Sequence, residues 1–298
     1  MFKSFSKLLA GFCLLTLAPL PANAGNTLEH IKQTGVIVAG TRKDAVPFAY
    51  IDDKGQWVGY SVDILEAIRQ EAQRQLGRPI KLKLVEANES NRFSAIQARS
   101  IDLECSTTTF TWERTKKVDF SLSYFAAGTQ LLVNKNSTLG KIDTLAGKKI
   151  GVLANSTNQE AIRTQQPKAQ LIIVKDYANG IELLKSGKID GFAADSIVLE
   201  GLQRKNKNQF KIVPKTPYQY ESYSCMLPKD DSDWRNLVNY TLVKFMEGII
   251  NDQPQSVGIY EHWFGENGLA PYPRDSVNRY FEGIVNSYEW IPLFDTEK

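Results

Sequence analysis

The chain has almost no histidine and little cysteine. His30 and His262 are its imidazoles and Cys13, Cys105 and Cys225 its thiols, in 298 residues. It contains no CxxC pair and no His-Cys cluster. A zinc or redox centre has almost nothing to be built from, so no metal and no cofactor is expected. With so little histidine, general acid-base chemistry has few candidates, and no catalytic residue is expected. There is no basic run and no basic-aromatic stripe, which makes nucleic acid a poor partner. After the first two dozen residues, no apolar run is long enough to cross a bilayer.

Those first residues have their own pattern. Lys3 and Lys7 precede an apolar run from Leu8 to Leu17, and Ala22-Asn23-Ala24 supplies a small-x-small cleavage site. Residues 1–24 are therefore expected to be a secretory signal peptide; a short membrane anchor is the alternative. A lipid anchor on Cys13 is disfavoured, because Phe12 stands where such a signal wants a small residue. Removing the leader takes away two lysines and no acids, leaving a nearly neutral chain. About 274 residues remain, too many for one small core and suited to two lobes. Cys105 and Cys225 remain as an even pair, which in an oxidising compartment is usually a disulfide. Two buried free thiols are the other reading. Closing a loop of that length would constrain the unfolded chain by roughly 4–5 kcal/mol in the entropic model.

Strands and helices alternate. Gly35 to Gly40 reads as a short strand, and Ser61 to Leu76 as a helix with Ile64, Ile68 and Ala72 on one face. Gly77 and Pro79 stop that helix. Ile80 to Val85 is a strand, Arg92 to Ala98 a helix, and Ile101 to Cys105 a strand. The pattern restarts after Gly147, with strands at 149–153, 171–174, 189–193 and 210–213. Helices at 158–164, 180–185 and 196–205 separate them. This is the grammar of a mostly parallel α/β sheet. Thr129 to Asn134 and Tyr223 to Leu227 read as two crossings between lobes, with the second lobe inserted in the first. The boundaries expected are 25–132 plus 226–298 for lobe 1 and 133–225 for lobe 2. Asp231 to Gly248 is expected to pack a helix on lobe 1. The aromatic and proline-rich tail from Gly258 is expected to wrap the surface.

In open α/β sheets, ligands sit beyond the carboxyl ends of strands, near helix N-termini. The residues there are Thr41 and Arg42, Ser106 to Thr109 with Arg114, Asn155 to Asn158, Asp176-Tyr177, and Asp195. Arginine grips a carboxylate as a two-toothed fork, an acid answers an ammonium, and hydroxyls fill the remaining hydrogen bonds. Such a ring suits a zwitterion. The plainer readings are turn chemistry for Thr107 to Thr109, helix capping for Ser156 and Thr157, and surface charge for Arg42 and Arg92.

These segments resemble the polar amino acid-binding group of periplasmic solute-binding proteins that serve ABC importers, solute-binding protein family 3. The resemblance rests on Gly59-Tyr60-Ser61-Val62-Asp63-Ile64, on Arg92 with Ile101 to Cys105, on Ser106 to Thr109 with Glu113-Arg114, and on Tyr223 to Leu227. Ser61 and the cysteines are similar to the glutamate/aspartate-binding branch. The resemblance implies a two-lobed, flytrap-like fold with two hinge strands, a periplasmic location, a monomer, and a membrane permease as partner. It implies that Arg114, Thr107 and Thr109 hold the ligand's α-carboxylate and Asp195 its ammonium. Ser156 and Thr157 would donate from the second lobe, and Arg42 and Arg92 would meet a side-chain carboxylate. Cys105 and Cys225 would form the disulfide. Tyr177 stands where that branch has a histidine, so amides are admitted beside glutamate and aspartate.

Overall fold

The computed structural model describes residues 27–206 and 209–287. The expected leader, with Cys13, lies outside the described residues, as does the chain after residue 287.

The first half begins with α1 (Thr27–Thr34) and β1 (Val36–Thr41). A small antiparallel sheet follows, of β2 (Asp44–Ala45), β3 (Ala49–Ile51) and β4 (Trp57–Val58). Next come α2 (Tyr60–Leu76), β5 (Lys81–Glu86), α3 (Arg92–Gln97), β6 (Leu103–Glu104), α4 (Trp112–Thr115) and the long β7 (Asp119–Asn134). Helix α2 forms because Ile64, Leu65, Ile68 and Ala72 make one apolar stripe, all buried. It ends at Gly77, whose φ of 64° is the left-handed stop that glycine permits. Gly59, just before the helix, has a φ of 139°, and a Cβ there would lie 2.1 Å from the Phe48 carbonyl oxygen. Only glycine fits that turn.

The second half contains β8 (Lys149–Leu153), α5 (Thr157–Gln165), β9 (Gln170–Val174), α6 (Tyr177–Lys185), β10 (Gly191–Asp195), α7 (Ser196–Lys205) and β11 (Phe210–Val213). Its own core gathers Leu131, Val133, Leu145, Ile150, Val152 and Ile162. Strand β12 (Gln219–Leu227) then returns to the first half, where α8 (Ser232–Ile250), α9 (Pro254–Phe264) and α10 (Arg274–Ser287) follow.

One curled sheet runs through the whole, in the order β5-β1-β6-β12-β7-β10-β8-β9, with β11 on β7. The outer thirds are parallel, β1 with β5 and β6, and β8 with β9 and β10. The middle is the antiparallel pair β7 and β12. These two long strands are the connection between the lobes. They extend further than the two crossings expected from sequence, β7 by ten residues and β12 by four at their N-terminal ends.

The tail differs from the expected surface wrap. Tyr260, Trp263 and Phe264 of α9 are buried, and so are Val277, Phe281 and Val285 of α10. Phe264 stacks on Phe125 at 4.7 Å and meets Tyr60 edge-on at 5.0 Å. The Trp263 indole N–H donates to Asp63 at 2.6 Å. These residues recur at helical spacing on either side of Pro271 and Pro273, so the tail folds as two helices and completes the first lobe's core.

Candidate ligand-binding site

Between the halves lies a cleft lined on one side by Glu89, Arg92, Thr107, Thr109 and Arg114. Leu153, Ser156, Thr157, Asn158, Tyr177 and Asp195 line the other. They stand at or just after the ends of β5, β6, β8, β9 and β10, on α4, or in the first turns of α3, α5 and α6. The enclosed space is about 10 Å³, the room of one water molecule, so the two walls are closed against each other.

Arg114 ties the walls together. Thr111 caps α4 by accepting the Arg114 backbone N–H, which fixes where the side chain starts. Its Nη1 donates to the Thr109 carbonyl at 2.6 Å, and its Nη2 to the Asn155 carbonyl at 3.3 Å. Burial, and then Arg92 nearby, lowers its pKa to about 10, so it remains a cation at neutral pH. Arg92 is buried. Its Nη1 donates to the Thr108 hydroxyl at 2.9 Å, and that hydroxyl donates to Glu104. Its Nε has no hydrogen-bond partner among the described residues. A buried donor left unmade is costly, so Arg92 offers the cleft an unused N–H.

Asp195 ends β10, fully buried. Its Oδ1 accepts from Asn158 at 2.8 Å and its Oδ2 from the Tyr223 hydroxyl at 2.6 Å. Burial and then the charge of Glu221 push its carboxyl up to about 7, against the pull of those two donors. Ser156 caps α5, accepting from the Gln159 N–H while its hydroxyl donates to the Leu153 carbonyl. Its hydroxyl proton is therefore engaged within its own turn. Thr107 is buried on the opposite wall. Asp176 caps α6, which starts at Tyr177, three residues earlier than the sequence suggests. Burial raises the Tyr177 hydroxyl well above the usual phenol range, although Arg42 pulls it the other way.

Arg42 departs from expectation, because it does not line the cleft. Its Nε and Nη2 bind Asp44 at 2.9 and 2.7 Å, and its Nη1 pairs with Glu89. Its guanidinium lies over the Tyr177 ring, 4.7 Å from the centroid. Two acids and one aromatic face occupy the cation that was expected to meet a ligand.

Two residues were missed. Glu221 is buried on β12, with Oε2 accepting from Thr109 and Thr157 and Oε1 from Thr129 and Asn158. It thus holds donors from both walls. It shares a strand face with Tyr223, which reaches Asp195, but that contact is tertiary and leaves no signal in the sequence. Glu89 is the other, while Asn158 belongs to the Asn155 to Asn158 turn expected at the cleft. Cys105 and Cys225, both buried, are joined by a disulfide with Cα atoms 4.3 Å apart, tying β6 to β12 beside the cleft.

Two α/β lobes on a pair of antiparallel strands, closing polar side chains over one small space, define a two-lobed solute-binding protein of the flytrap class. The chain belongs to the bacterial extracellular solute-binding proteins, family 3, whose family model matches residues 37–266. The glutamate/aspartate import solute-binding protein of Escherichia coli is 33% identical over 266 residues, covering 87% of this chain and 85% of that one. The ABC transporter glutamine-binding protein of Bacillus subtilis is 31% identical over 280 residues, covering 90% and 99%. A solved structure of an ancestral arginine-binding protein bound to glutamine aligns with a TM-score of 0.69 at 29% identity, covering 78% and 99%. A cyclohexadienyl dehydratase of Pseudomonas aeruginosa is 22% identical over 266 residues, covering 88% and 94%.

Proposed function

We propose that this protein is exported to the periplasm by cleavage of residues 1–24. There it works as a monomer, capturing one polar amino acid and presenting it to the permease of an ABC importer. Its ligands are drawn from glutamate, aspartate, glutamine and asparagine. Lobe 1 is residues 25–132 with 226–298, and lobe 2 is 133–225. The observation that carries this reading is the opposition of Arg114 and Asp195 in one cleft, a fixed cation for an α-carboxylate and an acid for an ammonium. The ligand meets Arg114, Thr107 and Thr109 on the open first lobe. Asp195 and the start of α5 arrive as the hinge strands bend. Closure follows because only the closed form makes both sets of contacts.

No catalytic role is assigned. Neither histidine lines the cleft, and binding with release needs no proton transfer to the ligand. A thermal-shift screen of the twenty amino acids tests the reading, since a ligand that binds only the native state raises its stability. One or more of the four named amino acids should raise the melting temperature. A flat response to all twenty would refute it.

A further inference from the structure

Beside Arg92 the cleft holds an acid that a pocket for a side-chain carboxylate would not want. Glu89 lines the space together with Arg92 and Tyr177. It sits in the turn before α3, fixed by Asn88, whose side chain accepts from the Ser90 backbone N–H and whose carbonyl accepts from the Arg92 N–H. One Glu89 oxygen pairs with Arg42, and the other has no hydrogen-bond partner among the described residues.

The charge on this wall is already balanced. Arg42 faces Asp44 and Glu89. Arg92 is backed by Glu104, through Thr108. Two guanidiniums thus answer three carboxylates, and Tyr177 adds no positive charge. What the wall offers a ligand is the unpaired N–H groups of Arg92, at Nε and Nη2, and one unused acceptor, the second oxygen of Glu89. A carboxylate can use those donors but would bring like charge against the largely shielded Glu89. A carboxamide can use both, its oxygen accepting and its NH₂ donating.

We propose that Glu89 sets the ligand preference of this cleft, selecting a carboxamide side chain, that of glutamine or asparagine, over the corresponding carboxylate. The inference rests on the amino-acid reading of the cleft. Discrimination of this kind comes as much from repelling the wrong ligand as from holding the right one.

The test is calorimetric titration at pH 8 of the intact, oxidised protein and its Glu89→Gln variant with L-glutamine, L-glutamate, L-asparagine and L-aspartate. The glutamine side chain keeps an acceptor for Arg42 and removes the charge. The wild-type protein is expected to bind its preferred amide roughly tenfold or more tighter than the matching acid. Glu89→Gln should move that ratio toward the acid by a similar factor, and Glu89→Asp should leave it on the amide side. A wild-type preference for the acid, or the same ratio in a folded Glu89→Gln protein, overturns the inference while leaving the amino-acid reading intact. Failure of all four ligands to bind the wild-type protein overturns both. If Glu89→Gln does not fold, the wild-type ratio alone decides.

Discussion

If Asp195 receives the ligand's ammonium, as proposed, ligand capture should depend on pH. Asp195 is buried beside Glu221, and both effects raise its carboxyl to about 7, the larger being burial. An ammonium is held by a carboxylate and not by a carboxylic acid, so the proton must leave for the ligand to bind. With a pKa near 7, about one tenth of the empty protein is ionised at pH 6 and about nine tenths at pH 8. Affinity should therefore be roughly tenfold weaker at pH 6 than at pH 8, with close to one proton released per ligand bound at pH 6. Calorimetry in two buffers of different ionisation enthalpy measures both quantities. In Glu221→Gln, whose amide oxygen still accepts from Thr109 and Thr157, the midpoint should fall, because the neighbouring charge is gone. The same group acts on stability with the opposite sense to a salt-bridged acid. The folded chain holds this proton above the ordinary range near 3.8, where the unfolded chain has lost it. Its contribution is therefore favourable at low pH and declines as pH rises from about 4 to about 7. An affinity that stays constant from pH 6 to pH 8, with no proton released, would refute the assignment of Asp195 to the ammonium.

Arg114→Ala removes the cation shared by both walls and should cost about 2–5 kcal/mol of binding by leaving a buried carboxylate unpaired; an unchanged dissociation constant would count against it. Arg42→Ala should act on stability, because it strands Asp44 and Glu89. A loss of roughly 1–3 kcal/mol in chemical denaturation is expected for leaving two partly exposed acids without their buried partner, and a melting profile like the wild type would contradict it. Mass spectrometry of the protein prepared without reductant should find neither Cys105 nor Cys225 alkylatable. Reduction should then lower stability by roughly 4–5 kcal/mol for a loop of this length.

Much of the fold was legible because periodicity and chain breakers are local signals. The stripe of Ile64, Ile68 and Ala72 and the stop at Gly77 define α2 before any tertiary contact is known. The cleft was legible through polar residues placed after strands, and Arg92, Thr107, Thr109, Arg114, Ser156, Thr157, Tyr177 and Asp195 all line one space. What escaped depends on convergence. Arg42 reads like any other arginine after a strand, and only the fold brings Asp44 and Glu89 onto it. Glu221 reads as a solvent-facing acid on an extended segment. It is buried because Thr129 of β7 and Asn158 of α5 supply donors from elsewhere in the chain. The tail misled because Pro271 and Pro273 suggest an extended wrap, while the residues at 260, 263 and 264 and at 277, 281 and 285 carry helical spacing around them.

The central claim is that one amino acid draws the two lobes together. Glu113 on α4 and Glu160 on α5 are exposed and stand on opposite lobes near the cleft. Spin labels placed through Glu113→Cys and Glu160→Cys, with the native disulfide left intact, report the distance across it. Saturating ligand should move the pulsed electron paramagnetic resonance distribution to one shorter, narrower distance. An identical distribution with and without bound ligand would contradict the account.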